Sequence, residues 1–194
     1  MIATTLRRIR MEEPCADGWR LLLRALGEGG HPNLAREVTL AEILEHNGVE
    51  DALWVAHHAA TLSAEDRRVL RLFASDVAEK ALCTEREAGR EPDGALWAAV
   101  EAARAYARGE IGARELRAAR AAAWAAADVA ADVAAWAATD AAAWAAAAAA
   151  AWAAAAAAAY AAAYAAYAAA DAVCAERDWQ AARLLAYLRG EVNA

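Results

Sequence analysis

The chain has 194 residues, which is enough for one domain that builds its own hydrophobic core. Hydrophobic residues make up 61% of it, but many are alanines, so the mean hydropathy is only +0.12, a value typical of a soluble protein. The net charge of −7 and the pI of about 5.2 argue against a general attraction to nucleic acid or to anionic lipid.

The sequence contains three widely spaced cysteines and no CxxC pair. They are Cys15, Cys83 and Cys174. This odd number favours buried thiols in a reducing cytoplasm over a disulfide framework or a metal motif. The first 19 residues contain arginines but no apolar run long enough for a secretory signal. We therefore predict a cytoplasmic location.

The first predicted helix lies in "WRLLLRALG", between two of the three prolines that mark loops. Asp17 is its predicted N-cap. Its predicted apolar face consists of Leu21, Leu22 and Leu26.

Two capping boxes predict the starts of later helices. Thr39 and Glu42 open a helix of about two turns in "TLAEILEHNG", and Gly48 stands where it should end. Ser63 and Asp66 open a longer helix. Between these two helices, a further helix is predicted around residues 53–55.

The helix that begins near Ser63 repeats its apolar residues at i, i+3 and i+4, the spacing of an amphipathic helix. These residues are Val69, Leu72, Phe73 and Val77. A fifth helix is predicted from Asp93 or Gly94 to about Arg108, with Gly109 ending it. No stretch alternates with period two, so we expect no sheet.

From residue 113 to residue 189 the chain has neither glycine nor proline and is rich in alanine, the strongest helix former. One helix of this length would extend roughly 115 Å, whereas a compact chain of this size has a diameter near ~40 Å. The tract is therefore predicted to fold back. Thr139 or Asp140 is the best candidate for the break, and Asp171 is a second.

Aromatic residues recur in this tract on a ladder of four-residue steps: Trp124, Trp136, Trp144, Trp152, Tyr160 and Tyr164. Each step turns about 40° around the helix axis, so the rings would point in several directions. Such helices need neighbours on several sides. We expect the rings to act as knobs between closely packed alanine helices.

A membrane span must be considered, because 30 uncharged residues separate Asp140 from Asp171. The segment contains no Leu, Ile, Val or Phe, its aromatic residues do not form interfacial belts, and acidic residues bracket it. We therefore expect no membrane insertion.

No established catalytic or metal motif is present in the sequence. The adjacent His57 and His58 would point about 100° apart on a helix, which suits one metal ion poorly. His46 and Glu42 have i, i+4 spacing, but a solvated helix face explains them more simply. Cys83 would be a nucleophile only if a histidine folded next to it, and a small buried residue is the commoner role of a lone cysteine. We predict neither a cofactor nor an enzymatic activity.

A run of acidic residues, Asp128, Asp132 and Asp140, lies in a stretch without basic residues between Arg120 and Arg177. This run is the candidate partner-binding site, because it could receive a basic partner protein. Such residues are more often solvated side chains or helix caps.

Segments of the chain resemble two groups of proteins. "LRRIRMEEPCADGWRLLLRALG" and "LAEILEHNGVEDALWVA" resemble uncharacterised bacterial and phage proteins with an alanine-rich tail punctuated by Trp and Asp. "EDALWVAHHAATLSAEDRRVLRLFASDVAEKAL" and the tail resemble immunity proteins of bacterial polymorphic-toxin systems. The second resemblance implies an all-helical fold and a protein partner such as a toxin or a defence factor.

We therefore predict an all-α, single-domain helical array, in which an alanine-rich part (residues 113–194) packs on an N-terminal part of about five shorter helices (residues 1–112). The predicted function is non-catalytic binding of a protein, of the immunity or inhibitor type, without nucleic acid or membrane. A self-assembling structural protein is the main alternative, and a homo-oligomer remains open. An enzyme and a membrane-inserted protein are weaker alternatives.

Overall fold

A computed structural model describes residues 2–89, 91–129 and 170–192, with side chains up to residue 123 and from residue 175 onward. The described part is an all-α fold of eight helices with one pair of short strands, which confirms the predicted fold class. In chain order the elements are β1 (Ala3–Thr5), α1 (Leu6–Met11), α2 (Ala16–Ala25), β2 (Glu37–Thr39), α3 (Leu40–Asn47), α4 (Val49–His58), α5 (Ala64–Glu87), α6 (Gly94–Arg108), α7 (Ala113–Val129) and α8 (Ala170–Arg189).

The expectation of no sheet was wrong. β1 and β2 pair antiparallel, with Thr4 opposite Val38 in the centre of the ladder. Both of these side chains are buried, and the Thr4 hydroxyl donates a hydrogen bond to the Ala59 carbonyl oxygen. Three residues are too few to display a period-two pattern, so the sequence carried no signal for these strands.

The start of the chain also differs from the prediction in its helices. α1 was not predicted; Thr5 caps it by accepting a hydrogen bond from the Arg8 N–H. The N-cap of α2 is Cys15, whose Sγ accepts from the Gly18 N–H at 3.3 Å, and Asp17 is the second residue of the helix, in its first turn. Asp17 still interacts favourably with the helix dipole there.

α2 packs on the core through a stripe at i, i+3, i+4 and i+7: Trp19, Leu22, Leu23 and Leu26. Leu21 lies about 100° away from Leu22 around the helix. Its placement on the buried face was therefore wrong, and it is 44% exposed.

The other predicted helix ends in the N-terminal part, those of α3, α5 and α6, are confirmed. Both capping boxes are present, at Thr39 with Glu42 and at Ser63 with Asp66. Gly48 ends α3 with φ 88°. α6 has Asp93 as its N-cap and ends at Gly109 with φ 77°, a left-handed conformation that glycine adopts at little cost.

α5 is the central helix and takes part in two hydrophobic clusters. Its first half, with Leu70, Phe73 and Val77, belongs to the larger cluster, which includes α1 to α4 and residues of α8 such as Leu184. Its second half, with Leu82, belongs to the cluster with α6 and α7. Each large side chain buried in this way contributes about 1.5–3 kcal/mol to stability.

The two described ends of the alanine-rich tract pack on the same N-terminal body. α7 lies along α6, while α8 contacts α5, α3 and α4. The predicted break at Thr139 or Asp140 and the rings from Trp136 to Tyr164 lie outside the described residues, as does the Trp124 side chain. Asp171 lies within α8, so it is not the N-cap of that helix.

The cysteine prediction was wrong for Cys15, which is exposed because it caps α2 at the surface, and Cys83 is only partly buried. The side chain of Cys174 lies outside the described residues. In the described ranges, no helix combines the length and the apolar character that crossing a bilayer would need.

Candidate functional site

The candidate site is centred on Asp76, a buried carboxylate in the middle of α5 that is 10% exposed. It accepts hydrogen bonds from two other helices. Arg104 Nη2 of α6 lies 2.8 Å from Oδ1, whereas Arg183 Nε and the Tyr187 hydroxyl of α8 each lie 2.8 Å from Oδ2. We call Asp76, Arg104, Arg183 and Tyr187 the Asp76 cluster.

Helical spacing explains how two donors of α8 reach one oxygen. Arg183 and Tyr187 are four residues apart, so they lie one above the other on the same face of α8. Leu184, beside them, is fully buried in the larger core cluster. The apolar contact and the polar contact therefore hold the same face of α8 against α5.

Arg104 is the second cation of the cluster and is itself paired with more than one carboxylate. It contacts Glu79 of α5 and Glu101 of its own helix as well as Asp76. Its hydrogen bond to Glu79, together with its contacts to Asp76, outweighs the effect of burial and raises the pKa of Arg104 further above its ordinary value. Arg104 is thus a permanent charge that joins α6 to α5.

Tyr187 is the most deeply buried donor, with 6% of the residue exposed. Burial, and then its hydrogen bond to Asp76, raises the pKa of Tyr187 to about 12. Burial lowers the pKa of Arg183, but its hydrogen bond to Asp76 and the charge of that carboxylate together have the larger effect, so the pKa of Arg183 is raised. The phenol therefore remains a proton donor over the whole physiological range.

Next to the cluster, α5, α6 and α8 enclose an open cleft of about 350 Å³. Lys80 pairs there with Glu176, and its Nζ lies 4.1 Å from the centre of the Trp179 ring. Gln180 donates to Glu176 at 3.0 Å. The cleft has three cations (Lys80, Arg104, Arg183) against three carboxylates (Asp76, Glu79, Glu176), so its charges compensate one another.

The hydrogen bonds and ion pairs of this arrangement hold α5, α6 and α8 together. Buried charges require partners, and here each cation of the cleft has a carboxylate in contact. In the described part of the chain, no group of three or more His, Cys, Asp or Glu residues could hold a metal ion.

Cys83 lines the cleft, but the described lining contains no histidine that would activate it. Its Sγ lies 3.8 Å from Arg86 Nη2. The structure thus does not bring Cys83 together with His57 or His58. Those two rings lie edge to face with centres 4.4 Å apart on α4, and burial, followed by the charge of His58, lowers the pKa of His57.

Glu42 and His46 are both on α3, but Glu42 is used by the capping box. The backbone N–H and the hydroxyl of Thr39 bind its carboxylate and hold the pKa of Glu42 below its ordinary value. His46 is exposed. The backbone of Asp128 belongs to α7, while its side chain, Asp132 and Asp140 lie outside the described residues.

The Asp76 cluster was not predicted from the sequence. One signal was present: Asp76 follows Leu72 and Phe73 by four and three residues, so it falls on the apolar face of α5. An acidic residue on such a face requires a buried partner. The sequence does not show which arginine this would be, because Arg104 and Arg183 are 28 and 107 positions away.

Comparison with known proteins gives one match. A family model described as "Imm-5 like putative immunity protein" matches residues 60–187, about two thirds of the chain. Neither the comparison with curated proteins nor that with solved structures found a match. The matched segment begins just before α5 and ends at Tyr187, so it contains every member of the Asp76 cluster.

Proposed function

Because the chain belongs to the Imm-5 like immunity protein family, we propose that it neutralises a protein partner, a toxin or a defence factor of bacterial or phage origin, by binding to it. The family match carries this proposal. It covers α5 to α7 and all but the last two residues of α8, and so it includes the three helices that the Asp76 cluster joins, α5, α6 and α8. In this proposal the helices are a rigid scaffold that presents a binding surface, and the protein acts in the cytoplasm without a cofactor.

The net charge of −7 supports a partner with a basic surface. Complementary charge accelerates encounter and fixes the orientation of the partners. Asp128, Asp132 and Asp140 remain the predicted contact residues, because they form an acidic run that begins in α7.

The test is to co-express the protein with a toxic protein encoded next to it and then to titrate the purified pair. A binding inhibitor restores growth and forms a stable complex, and it abolishes the toxic activity at an equimolar ratio. Full neutralisation far below equimolar amounts would instead indicate an enzyme, and toxicity without complex formation would overturn the proposal.

Two variants make the test specific. A triple variant with Asp128, Asp132 and Asp140 each changed to Asn should bind the partner more weakly, and circular dichroism should show that it folds like the unmodified protein. As a matched control, Asp17→Asn removes an exposed carboxylate of α2. If both variants bind like the unmodified protein, the predicted contact residues are wrong, although binding itself would stand.

A further inference from the structure

A groove separate from the Asp76 cluster opens on the N-terminal helices. It has a volume of about 220 Å³ and lies between α2, α3 and α4. Its apolar lining includes the buried Leu22 and Ile43 and the partly buried indoles of Trp19 and Trp54. Every residue that lines it precedes residue 60, so the groove lies outside the segment that the family model matches.

Asp51 provides a carboxylate in a lining that is mostly apolar. Its Oδ2 accepts a hydrogen bond from Asn47 Nδ2 at 2.8 Å, and no arginine, lysine or histidine of the described residues forms an ion pair with it. Glu50 also lines the groove, but Arg177 of α8 lies 3.0 Å from it. Of the two carboxylates that line the groove, Asp51 is thus the one without a cationic partner among the described residues.

The close approach of α2 fixes the position of Asp51. A Cβ atom on Gly18 would come within 2.6 Å of Asp51 Oδ2 and 3.0 Å of Cys15 Sγ. The Gly18 carbonyl oxygen also accepts a hydrogen bond from Asn47 Nδ2 at 2.8 Å. Glycine at this position thus lets α2 pack against the carboxylate.

Asn47 is left with an unsatisfied acceptor in the same groove. Both protons of its amide nitrogen are used, by Gly18 and by Asp51. Its Oδ1 is buried and has no hydrogen-bond donor among the described residues. Leaving a buried acceptor without a donor is unfavourable, and a ligand could supply that donor only if the Asn47 side chain shifted to expose the oxygen.

We propose that this groove binds an arginine side chain of the protein partner. Arginine matches the lining in three respects: its aliphatic stem packs on apolar side chains, its planar guanidinium stacks on indoles, and its N–H groups pair with the Asp51 carboxylate. The inference rests on the proposed function for the identity of the partner, but the preference of the groove for a guanidinium can be measured on the free protein.

The experiment uses the full chain, labelled so that each tryptophan indole N–H gives one NMR signal. Trp19→Phe and Trp54→Phe each remove one signal and so identify the two indoles of the groove. The probe is N-acetyl-arginine methylamide. The matched probe is the citrulline analogue, which has the same shape but no charge.

We expect the arginine probe to shift the Trp19 and Trp54 signals and to bind about threefold to tenfold more tightly than the citrulline probe. Asp51→Asn should reduce this preference, while the control Asp17→Asn should retain it. Both variants must show the same signals elsewhere, which confirms that they fold.

Several results would overturn the proposal. These are equal binding of the two probes, shifts confined to other tryptophans, and no shift at the highest soluble probe concentration. A lysine probe that binds as tightly as the arginine probe would remove the guanidinium preference. A dimer of the free protein that Asp51→Asn dissociates would identify a second copy of the chain as the occupant.

These outcomes can be separated from failure of the proposed function. If the chain neutralises its partner but does not distinguish the two probes, the proposed function stands and the proposed arginine site is wrong. If the chain prefers the arginine probe but fails in the co-expression titration, the guanidinium site stands and the proposed immunity role is wrong.

Discussion

Arg183 on α8 and Asp76 on α5 are 107 positions apart in the sequence, yet Nε and Nη2 of the arginine both lie within 2.8 Å of one carboxylate oxygen. The carboxylate is buried, and the same oxygen also accepts the Tyr187 hydroxyl. This contact joins the last helix of the chain to its central helix.

Replacing Asp76 with alanine should lower the free energy of unfolding by about 2–4 kcal/mol, because the buried Tyr187 hydroxyl and the partly buried Arg183 lose their acceptor, while Arg104 retains Glu79. Urea denaturation followed by circular dichroism measures this. Asp178→Ala is the matched control, since Asp178 is exposed on α8, and it should change stability by no more than about 0.5 kcal/mol. Equal stability of the two variants would show that the cluster contributes nothing.

Tyr187 should make stability depend on alkaline pH. Its pKa is raised from 10.0 to about 12, so the folded protein holds this proton more tightly than the unfolded chain does. Its contribution is complete below pH 10 and is lost as the pH rises from 10 to 12, to a total of up to about 3 kcal/mol. Denaturation at several pH values should show this decline, and Tyr187→Phe should flatten it. A decline of the same size in the variant would assign the effect to other groups.

Lys80 offers a direct probe of the packing of α8, because it is the only lysine in the chain. Reductive methylation with labelled formaldehyde keeps its charge and marks it together with the chain amine. We expect the Lys80 methyl signal to be shifted upfield by the ring current of Trp179, which lies 4.1 Å away. The shift should disappear in Trp179→Ala. A signal at the position of free lysine would mean that α8 is not packed there.

The capping box of α5 should have a measurable effect on stability. Ser63→Ala removes the hydroxyl that accepts from the Asp66 N–H at 3.0 Å, and it should cost about 1 kcal/mol. Thr84→Ala is the control in the same helix. Its exposed side chain bonds only the preceding turn, so alanine there should leave stability unchanged or raise it by a few tenths of a kcal/mol. Similar losses in both variants would contradict the capping role.

The sequence predicted those features whose causes lie within a few residues. The capping boxes at Thr39 and Ser63 and the end of α6 at Gly109 depend on neighbours at most four positions away. Each of these was predicted at the correct residue.

Features that depend on distant residues were missed. β1 pairs with a strand that begins more than 30 positions later, and each strand has only three residues. The partners of Asp76 belong to two other helices. The groove at Asp51 depends on the close approach of α2 and α4 at Gly18, which no periodicity in either helix reveals.

The contact of Arg183 and Tyr187 with one oxygen of Asp76 also fixes the register of α8. An extra residue inserted between the two donors would rotate one of them by about 100° around the helix axis and away from Asp76. A gain or loss of alanines before residue 170 leaves the spacing of the two donors intact. The four-residue interval from Arg183 to Tyr187 is therefore the part of this helix that evolution cannot lengthen or shorten without giving up the contact with Asp76.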